Sequence, residues 1–419
     1  MILLKNGIVF DGKDFNRQDV LIDKEEIIEV RENISGDYEV IDCEGKIIAP
    51  SFIDPHVHLR EPGISYKETI KTGTKAAAHG GFTHVFAMPN VNPVPSNKKA
   101  ISQQQTIIDR DSCIDVSIIG SITVNQTGEG QITDISETHN LVIGYSDDGR
   151  GIKDSYTMYQ AMVNAKKYNK PIISHCEDIS LVNGGCITEC DFAKEHNLKE
   201  IMPESETVEL ARNLILANKT GCHLHVCHIS CKESVDLVRY YKAKGCHVTA
   251  EVCPHHLILS DKDLKLDGNY KMNPPLMTQE HIEALIAGLK DGTIDCLATD
   301  HAPHAVDEKN CGLEKSAFGI VGLETAFPLM YTHFVKKNII SLKTLLNLMS
   351  DNVAQVFNLK EHKIAKGYQA NLCVIDLDAK SIISSKDFLS LGSNSPFIGK
   401  KVDGKIIYTM YKGAFVYGK

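Results

Sequence analysis

Short apolar runs that end in polar residues recur along the central part of the chain. Eight of them predict β-strands, at residues 51–58, 82–90, 115–124, 141–149, 171–177, 222–230, 246–254 and 295–303. Helical patterns lie between several of these runs, in residues 66–80, 155–169, 204–220, 232–245 and 278–292, and four of the five run into a glycine near their ends. Repeated strand–helix alternation predicts an α/β fold, most simply a distorted (β/α)8 TIM barrel.

An open, doubly wound sheet is the other fold that such alternation permits. That fold requires a glycine-rich phosphate-binding turn after its first strand. Here the first predicted strand runs into His58-Leu59-Arg60-Glu61-Pro62 instead. The closed barrel is therefore the favoured prediction.

The two ends of the chain have a different pattern, with short apolar runs broken by turn signals such as Asn6-Gly7 and Asp403-Gly404. Neither end is long enough to bury a core by itself. We therefore predict a small β-sandwich domain formed from residues 1–50 and 362–419 together, with the barrel in residues 51–361.

Composition excludes several classes of protein. The 419 residues are 42% hydrophobic and 24% charged, which is ordinary for a soluble enzyme, and the net charge of −9 comes without a long basic run. Nucleic acid and anionic membranes are therefore not expected as main partners. No apolar run reaches the roughly 18 residues that span a bilayer, and Lys5 and Asp11 interrupt any export signal, so we expect a cytoplasmic protein.

The thirteen cysteines are expected to be reduced thiols in that compartment. Cys176 and Cys227 stand beside two histidines that are candidate ligands. Alternation along a strand predicts that both cysteines face away from those histidines.

Residues that can bind a metal cluster at the ends of the predicted strands, where the catalytic groups of a (β/α)8 barrel converge. His56 and His58 are two residues apart on one strand, so their side chains point to the same face. A histidine pair of this kind alone is more often part of a turn. The other strand ends bring the set of ligand candidates to six: His56, His58, Asp148, His175, His228 and Asp300.

Six ligands exceed one tetrahedral zinc site and suit two ions that share a bridging group. Imidazole and carboxylate ligands favour zinc, with manganese, cobalt and iron as the other possibilities. The pattern therefore predicts a metal-dependent hydrolase.

Eight short motifs carry a resemblance to a known family. They are DPHVHLREPG (54–63), MPN (88–90), SDDG (146–149), SHCE (174–177), HVCHIS (225–230), CPHHL (253–257), KMNPPL (271–276) and ATDHAPH (298–304). Together they resemble the amidohydrolase superfamily, and most closely its bacterial dihydroorotases that use no carboxylated lysine. The resemblance runs through the whole chain and includes the divided β domain and a closing helix, SDNVAQVFNL (350–359).

The resemblance implies two zinc ions per chain. One would bind His56, His58 and Asp300, and the other His175 and His228. Asp148 would bridge them together with a hydroxide. The second site is expected to be the weaker one, because an aspartate bridge holds a metal pair less firmly.

The fourth strand separates this chain from other cyclic amidohydrolases. Hydantoinases, dihydropyrimidinases and allantoinases typically carry a carboxylated lysine there. In this chain the strand ends Ser146-Asp147-Asp148, and the nearest lysine, Lys153, lies beyond it. Either aspartate fits as the ligand, and its place in the motif favours Asp148.

Arg60 lies two residues beyond His58 and suits bidentate binding of a carboxylate, although a surface arginine paired with Glu61 would look the same in sequence. The resemblance implies that four residues hold the carboxylate and ring amides of dihydroorotate: Arg60, Asn90, Asn273 and His304.

The resemblance also implies the reaction, which is reversible cyclisation of N-carbamoyl-L-aspartate to L-dihydroorotate in pyrimidine (UMP) biosynthesis. Asp300 would be the catalytic group that carries the proton as well as a metal ligand.

Two other functions compete with this prediction. One is another cyclic amidohydrolase, namely a hydantoinase, dihydropyrimidinase or allantoinase. The other is an inactive homologue that serves as a structural partner of aspartate carbamoyltransferase, which the six intact ligand positions argue against.

Several finer expectations accompany the main one. The partner is a small-molecule substrate; a homodimer and association with aspartate carbamoyltransferase are both compatible with the family. Residues 305–320 are expected to form either a lid or substrate-contacting loop or an ordinary solvated connection. His255 and His256 are expected to orient ligands. His223 and His225 are expected to pack against helices.

Overall fold

Both ends of the chain contribute strands to one sheet. The structure, a computed structural model, describes residues 1–360 and 362–419. The N-terminal strands are β1 (Ile2–Phe10), β2 (Phe15–Asp23), β3 (Glu26–Arg31), β4 (Glu39–Asp42) and β5 (Ile47–Pro50). The C-terminal strands are β16 (Leu372–Ile382), β17 (Lys401–Tyr411) and β18 (Ala414–Tyr417). Strand β16 pairs antiparallel with β5, so the two ends form a single sheet.

The terminal sheet bends around its own apolar core. Leu4, Ile22, Ile27, Leu372 and Met410 belong to one buried cluster, although their strands are far apart in the hydrogen-bonding order β18-β17-β16-β5-β1-β2-β3. The predicted separate sheet from the two termini is thus confirmed. The predicted end of the barrel at residue 361 lies outside the described residues.

The eight predicted barrel strands are all present and run parallel. They are β6 (Phe52–Val57), β7 (Phe82–Ala87), β8 (Asp115–Gly120), β9 (Gly144–Tyr145), β10 (Ile172–Ser174), β13 (Leu224–Val226), β14 (Val248–Val252) and β15 (Cys296–Leu297). They pair in chain order from β6 to β15. A further parallel pair, β11 (Ile187–Thr188) and β12 (Glu200–Ile201), lies outside the barrel.

The barrel closes between its first and last strands. Val57 and His301 form a parallel bridge, and the His58 N–H donates to the His301 carbonyl at 2.8 Å. The buried Asp54 carboxylate on β6 accepts the Thr299 hydroxyl at 2.6 Å and the Thr299 N–H at 3.2 Å. Burial raises the pKa of Asp54 to about 7 even against these hydrogen bonds. One carboxyl group therefore joins both edges of the barrel.

Helices cover the outside of the barrel. Those of the first half are α1 (Ile70–His79), α2 (Lys98–Asp111), α3 (Ile135–Thr138), α4 (Ser155–Lys167), α5 (Ile179–Val182), α6 (Asp191–Glu195) and α7 (Glu204–Thr220). Those of the second half are α8 (Lys232–Ala243), α9 (Pro254–Ile258), α10 (Gln279–Asp291), α11 (Val306–Lys309), α12 (Gly312–Lys315), α13 (Ala326–Met330), α14 (Leu342–Met349) and α15 (Asp351–Val356).

The five predicted helices are confirmed as α1, α4, α7, α8 and α10, and the predicted closing helix is α15. Gly221 and Gly292 end α7 and α10 in the left-handed conformation, with φ of 67° and 79°, as the glycine signals indicated. Helix α2 was not predicted, although Asn97 caps it and Ala100, Ile101, Gln104 and Ile108 form its buried face.

Within the described residues, no helix combines the length and the apolar character that a membrane crossing requires.

Candidate metal centre and substrate cavity

The ends of the barrel strands bring the six ligand candidates together as predicted. His58 Nε2 lies 2.9 Å from Asp300 Oδ1, and His56 Nε2 lies 3.5 Å from the same oxygen. Ligand atoms of these three side chains all fall within 4.8 Å of one another, and all three side chains are buried. They form the first of the two metal-capable groups that the six candidates make up.

The second group contains Asp148, His175 and His228. His175 Nδ1 lies 3.5 Å and His228 Nε2 lies 3.8 Å from Asp148 Oδ1. The same oxygen is 3.4 Å from His56 Nε2, and Asp148 Oδ2 is 3.6 Å from His58 Nε2. Asp148 therefore contacts histidines of both groups. The six side chains together are called the ligand wall below.

The spacing of these atoms fits a small cation. Zinc bonds of about 2.0–2.2 Å at tetrahedral angles place neighbouring ligand atoms roughly 3.3–3.6 Å apart. His56 Nε2 and Asp148 Oδ1 face each other at 3.4 Å, and both are buried atoms without a hydrogen-bond partner. Because buried polar atoms normally have partners, their arrangement fits a shared cation.

Both aspartates of the ligand wall are ionised at neutral pH. Burial alone would raise the pKa of Asp148, but the His56, His175 and His228 imidazoles hold it well below its usual range. Asp300 is buried in the same way, and His56 and His58 keep its pKa below the ordinary value. Each is therefore available as a negatively charged ligand.

The structure distinguishes the two aspartates, Asp147 and Asp148, that follow strand β9. Asp147 Oδ1 accepts the backbone N–H groups of Ile122 and Thr123 at 2.8 and 3.1 Å, so it holds the loop after β8. Asp148 reaches the ligand wall instead. Lys153 pairs with Glu129 at 2.8 Å on an exposed surface. The position predicted for the bridging ligand is thus occupied by Asp148 and not by a lysine.

Left-handed backbone conformations occur at the ends of several barrel strands. The φ angles are 58° at Arg60, 49° at Cys176, 26° at His228 and 47° at Asp300. Residues other than glycine seldom adopt such angles, and where they do, the conformation is often tied to a functional site. At these positions the turns redirect side chains at the strand ends.

One of these turns makes the prediction for Cys227 wrong. Strand β13 ends at Val226, so alternation no longer applies beyond it, and the Cys227 sulfur lies within 4.8 Å of ligand atoms of His56 and Asp148. Cys176 does face away, as predicted: its sulfur lies 3.3 Å from Ser174 Oγ. All thirteen cysteines, each within the described residues, are free.

A buried carboxylate that was not predicted lies behind the first group. Glu251 Oε1 is 2.7 Å from His56 Nδ1, and its Oε2 is 2.9 Å from His225 Nε2. It also accepts the His228 N–H at 3.2 Å. The contact fixes the His56 tautomer so that Nε2 faces the ligand wall.

A second carboxylate, Glu177, lies behind the other group and was not predicted either. Its Oε2 is 3.5 Å from His175 Nε2, and its Oε1 accepts the Asn273 amide N–H at 2.8 Å. Glu177 follows His175 by two residues, which was the signal in the sequence that could have identified it.

Four further side chains line the same cavity: Arg60, Asn90, Asn273 and His304. They are called the substrate rim below. Arg60 is buried and donates to the Pro303 carbonyl at 3.3 Å. Glu61 instead accepts the Ile70 N–H at 2.9 Å, so the alternative of a surface pair between Arg60 and Glu61 is not what the structure contains.

The two asparagines of the substrate rim have fixed amide groups. Asn90 Nδ2 donates to the Asp148 carbonyl at 2.8 Å, and its buried Oδ1 has no partner. Asn273 Nδ2 donates to Glu177. Both therefore offer an oxygen acceptor, which suits an N–H donor on a bound molecule.

His304 is held on both sides of its ring. Its Nε2–H donates to the Phe318 carbonyl at 2.7 Å, and Lys67 Nζ donates to its Nδ1 at 3.2 Å. Burial together with the charges of Arg60 and Lys67 lowers the pKa of His304 to about 3, so the ring is neutral at physiological pH.

Residues 305–320 form a structured loop against the cavity. Lys309 is buried, and its Nζ donates to the carbonyls of Lys271, Ala317 and Gly319 at 3.1, 2.7 and 2.8 Å. This loop contributes Phe318 and Gly319 to the cavity wall. The segment thus lines the cavity, and its contact with a substrate stays a prediction.

The other histidines singled out in the sequence have supporting contacts. His256 Nε2 donates to the Pro274 carbonyl at 2.9 Å, next to Asn273. His225 packs on the Phe357 ring with centroids 4.8 Å apart, as expected for an outward-facing residue, and also reaches Glu251. His255 is buried, and its role in orienting ligands stays a prediction.

The ligand wall and the substrate rim enclose a cavity of about 200 Å³. Sites for drug-sized ligands usually occupy about 300–1,000 Å³, so this cavity suits a smaller molecule. Its lining residues are His58, Arg60, Asn90, Asp148, Gly149, His175, His228, Asn273, Asp300, Ala302, His304, Phe318 and Gly319. Such a polar lining indicates a small polar ligand.

Comparison with known sequences places the chain in a family. A family model described as "Dihydro-orotase-like" matches residues 45–234. A curated dihydroorotase of Staphylococcus aureus is 47% identical over 418 residues, which cover 99% of this chain and 98% of the relative. The chain belongs to the dihydroorotase family. A dihydroorotase of Staphylococcus epidermidis is 46% identical and covers 100% of this chain and 99% of the relative. The dihydroorotase family is metal-dependent, and the ligand wall contains two of the candidate metal-binding groups in the described residues.

Solved structures of similar fold are hydantoinases and dihydropyrimidinases. An L-hydantoinase (dihydropyrimidinase) from Arthrobacter aurescens has a TM-score of 0.88 and 24% identity, over 99% of this chain and 95% of that chain. A dihydropyrimidinase from Brevibacillus agri has a TM-score of 0.86 and 24% identity, over 99% and 94%. At this identity the likeness establishes the fold, which is the predicted TM barrel.

Proposed function

We propose that this chain is a zinc-dependent dihydroorotase that interconverts N-carbamoyl-L-aspartate and L-dihydroorotate. The observation that carries the proposal is the buried Arg60 guanidinium across the cavity from the ligand wall. A cyclic amide that also bears a carboxylate needs both features, whereas dihydrouracil and hydantoin have no carboxylate for Arg60 to bind. Full-length identity of 47% to a protein named dihydroorotase supports the same conclusion.

The ligand wall would hold two ions. His56, His58 and Asp300 would bind the first, His175 and His228 the second, and Asp148 would contact both. When bound, zinc lowers the pKa of a coordinated water towards about 7 and polarises the carbonyl under attack. Glu251 and Glu177 would keep His56 and His175 in the tautomers that ligation requires.

The substrate rim would bind and orient the ring. Arg60 would form charge-assisted hydrogen bonds with the ring carboxylate, with the neutral His304 beside it. The Asn90 and Asn273 amide oxygens would accept the ring N–H groups. This arrangement would hold the scissile amide next to Asp300. Holding the reacting groups in a fixed orientation raises the rate.

Asp300 would carry the proton in both directions. In ring opening its carboxylate takes a proton from the attacking water and delivers it to the leaving ring nitrogen. In ring closure it takes a proton from the attacking ureido nitrogen and returns it to the departing carboxylate oxygen, which takes a second proton from solution and leaves as water. Its low pKa keeps Asp300 ionised, as a proton acceptor must be.

Zinc as the resident metal and pyrimidine biosynthesis as the pathway both belong to this proposal. A homodimer and an association with aspartate carbamoyltransferase stay predictions from the sequence.

The test is ring closure of N-carbamoyl-L-aspartate by zinc-loaded protein, followed as L-dihydroorotate formation, with chelator-treated protein as the control. Metal-dependent product is the expected result. Dihydrouracil, hydantoin and allantoin are assayed in parallel. Turnover of one of these rings without turnover of dihydroorotate would contradict the proposal and favour another cyclic amidohydrolase. Zinc-loaded protein that turns over none of them would favour a structural role.

A further inference from the structure

Glu177 contacts both sides of the cavity. One carboxylate oxygen is near His175 of the ligand wall, and the other accepts a hydrogen bond from Asn273 of the substrate rim. The Glu177 side chain is almost entirely buried, and its backbone N–H donates to Glu209 Oε2 at 3.1 Å. The Glu177 carboxylate therefore lies between His175 and Asn273 and contacts both.

The position of the proton on the His175 ring follows from the surroundings of its two nitrogens. Its Nδ1 is the nitrogen that faces Asp148 and His228, at 3.5 and 2.9 Å. A neutral imidazole that binds a cation through Nδ1 carries its proton on Nε2. Glu177 Oε2 lies 3.5 Å from that nitrogen, so it is placed to accept the proton. Cation binding at Nδ1 therefore makes Nε2 a donor to Glu177.

The orientation of the Asn273 amide depends on the same carboxylate. Asn273 Nδ2 is 3.2 Å from His175 Nε2, but it cannot donate to a nitrogen that is already protonated. Its donor is used by Glu177 Oε1 at 2.8 Å, and an ionised carboxylate only accepts hydrogen bonds. Asn273 is thereby left with Oδ1 as the group it can offer to a ring N–H.

We propose that Glu177 is a positioning residue that couples cation binding at the second group, Asp148, His175 and His228, to the binding of a ring amide by Asn273. This inference rests on the proposed function. A cation on His175 orders Glu177, and Glu177 orders Asn273 as an acceptor. A ring N–H bound to Asn273 stabilises the same arrangement from the other side. Because linkage is reciprocal, substrate should tighten the second metal by the factor by which that metal tightens substrate.

The experiment measures zinc binding rather than activity. Metal-free protein is dialysed against a series of chelator-buffered free zinc concentrations, with and without an equilibrated mixture of N-carbamoyl-L-aspartate and L-dihydroorotate. In wild-type protein the affinity for the second zinc should rise about 5- to 20-fold with the mixture. In Glu177→Gln the rise should fall below about twofold, because an amide can donate as well as accept and no longer fixes either partner.

Glu251→Gln is the matched control, since it makes the same change behind His56, in contact with no residue of the substrate rim. It should weaken zinc binding while the effect of the mixture on the second zinc persists. A purely structural role for Glu177 predicts the same behaviour in both variants.

Asn273→Ala tests the coupling from the side of the substrate rim, at a residue that is only partly buried. It should remove the effect of the mixture and leave the zinc affinity without the mixture within about twofold. This variant also covers a failure of Glu177→Gln to fold.

Three results would overturn the coupling: a full effect in Glu177→Gln, a full effect in Asn273→Ala, or no effect in wild-type protein that interconverts the mixture. Wild-type protein that neither binds nor interconverts the mixture would instead contradict the proposed function, and the coupling with it.

Discussion

The two sides of the cavity are built in different ways. The ligand wall stands on barrel strand ends, and buried carboxylates lie behind two of its histidines. It contains buried polar atoms without partners, such as His56 Nε2. In the substrate rim, three of the four side chains donate to backbone carbonyls, as when Arg60 donates to Pro303, and the fourth, Asn273, donates to Glu177.

This difference separates two functions. In the proposed function the unpartnered polar atoms of the ligand wall bind a cation, so its geometry would determine whether the chemistry occurs. The hydrogen bonds of the substrate rim are of the kind that a bound carboxylate or amide can replace or add to. Changes in the ligand wall should therefore appear mainly in kcat and zinc content, and changes in the substrate rim mainly in KM.

The largest effect is expected for Asp300→Asn in the ligand wall. The amide can still offer an oxygen to a metal but cannot accept the proton, so kcat should fall by about 10²- to 10⁴-fold. Steady-state kinetics, zinc content and circular dichroism are measured together. A variant with normal kcat would contradict the proton role of Asp300, and one that lost its fold would show a structural role instead.

Arg60→Ala tests the substrate rim. A hydrogen bond to a charged group contributes about 1.5–3 kcal/mol, so KM should rise about 10- to 150-fold while kcat changes much less. Arg150→Ala is the control, because Arg150 is an exposed arginine close to the same strand end as Asp148. Equal effects of the two variants on KM would remove Arg60 from the carboxylate site.

Lys309→Met tests whether Lys309 holds the loop that carries Phe318 and Gly319. The variant removes one donor from the carbonyls of Ala317 and Gly319 in the loop and from that of Lys271 beside it. If about 1 kcal/mol of loop ordering is lost, KM should rise about fivefold with little change in zinc binding. Hydrogen exchange in residues 317–320 should also accelerate. Unchanged exchange with an unchanged KM would show that Lys309 does not hold the loop.

The smallest effect concerns acid stability and the carboxylate behind the first group. Burial alone would raise the pKa of Glu251, but His56 and His225 lower it to about 2 from the ordinary 4.5. A depressed acid pKa stabilises the folded protein above about pH 4.5, and this contribution is lost as pH falls towards 2. The difference in unfolding free energy between metal-free wild-type protein and Glu251→Gln should therefore shrink from pH 5 to pH 3. A difference that stays constant would contradict the assigned shift.

The residues of the ligand wall were predicted from the sequence, whereas the carboxylates behind its histidines were not. The six residues of the ligand wall could be identified from the strand ends, because the C-terminal ends of all parallel strands in a barrel lie on the same face. Glu251 was missed although a carboxylate in the apolar strand β14 is itself a signal. Glu177 was missed because its role depends on the distance between His175 and Asn273, residues that lie 98 positions apart in the chain.

The pattern of apolar and polar residues in the sequence could not predict local backbone conformation or loop contacts. Cys227 reaches the ligand wall because the chain turns at His228, which alternation along a strand cannot anticipate. Lys309 stands among other lysines in a polar segment, and nothing in that segment distinguishes it. Its contacts come from the folding of residues 305–320 back onto Lys271.

The central claim is that the ligand wall binds zinc while the substrate rim binds a carboxylate-bearing ring. The most direct measurement is anomalous diffraction at the zinc edge from crystals grown with the N-carbamoyl-L-aspartate and L-dihydroorotate mixture. We expect two zinc peaks on the ligand wall, on either side of Asp148, and a ligand carboxylate within hydrogen-bond distance of Arg60. Zinc bound elsewhere, or a ring carboxylate directed away from Arg60, would contradict it.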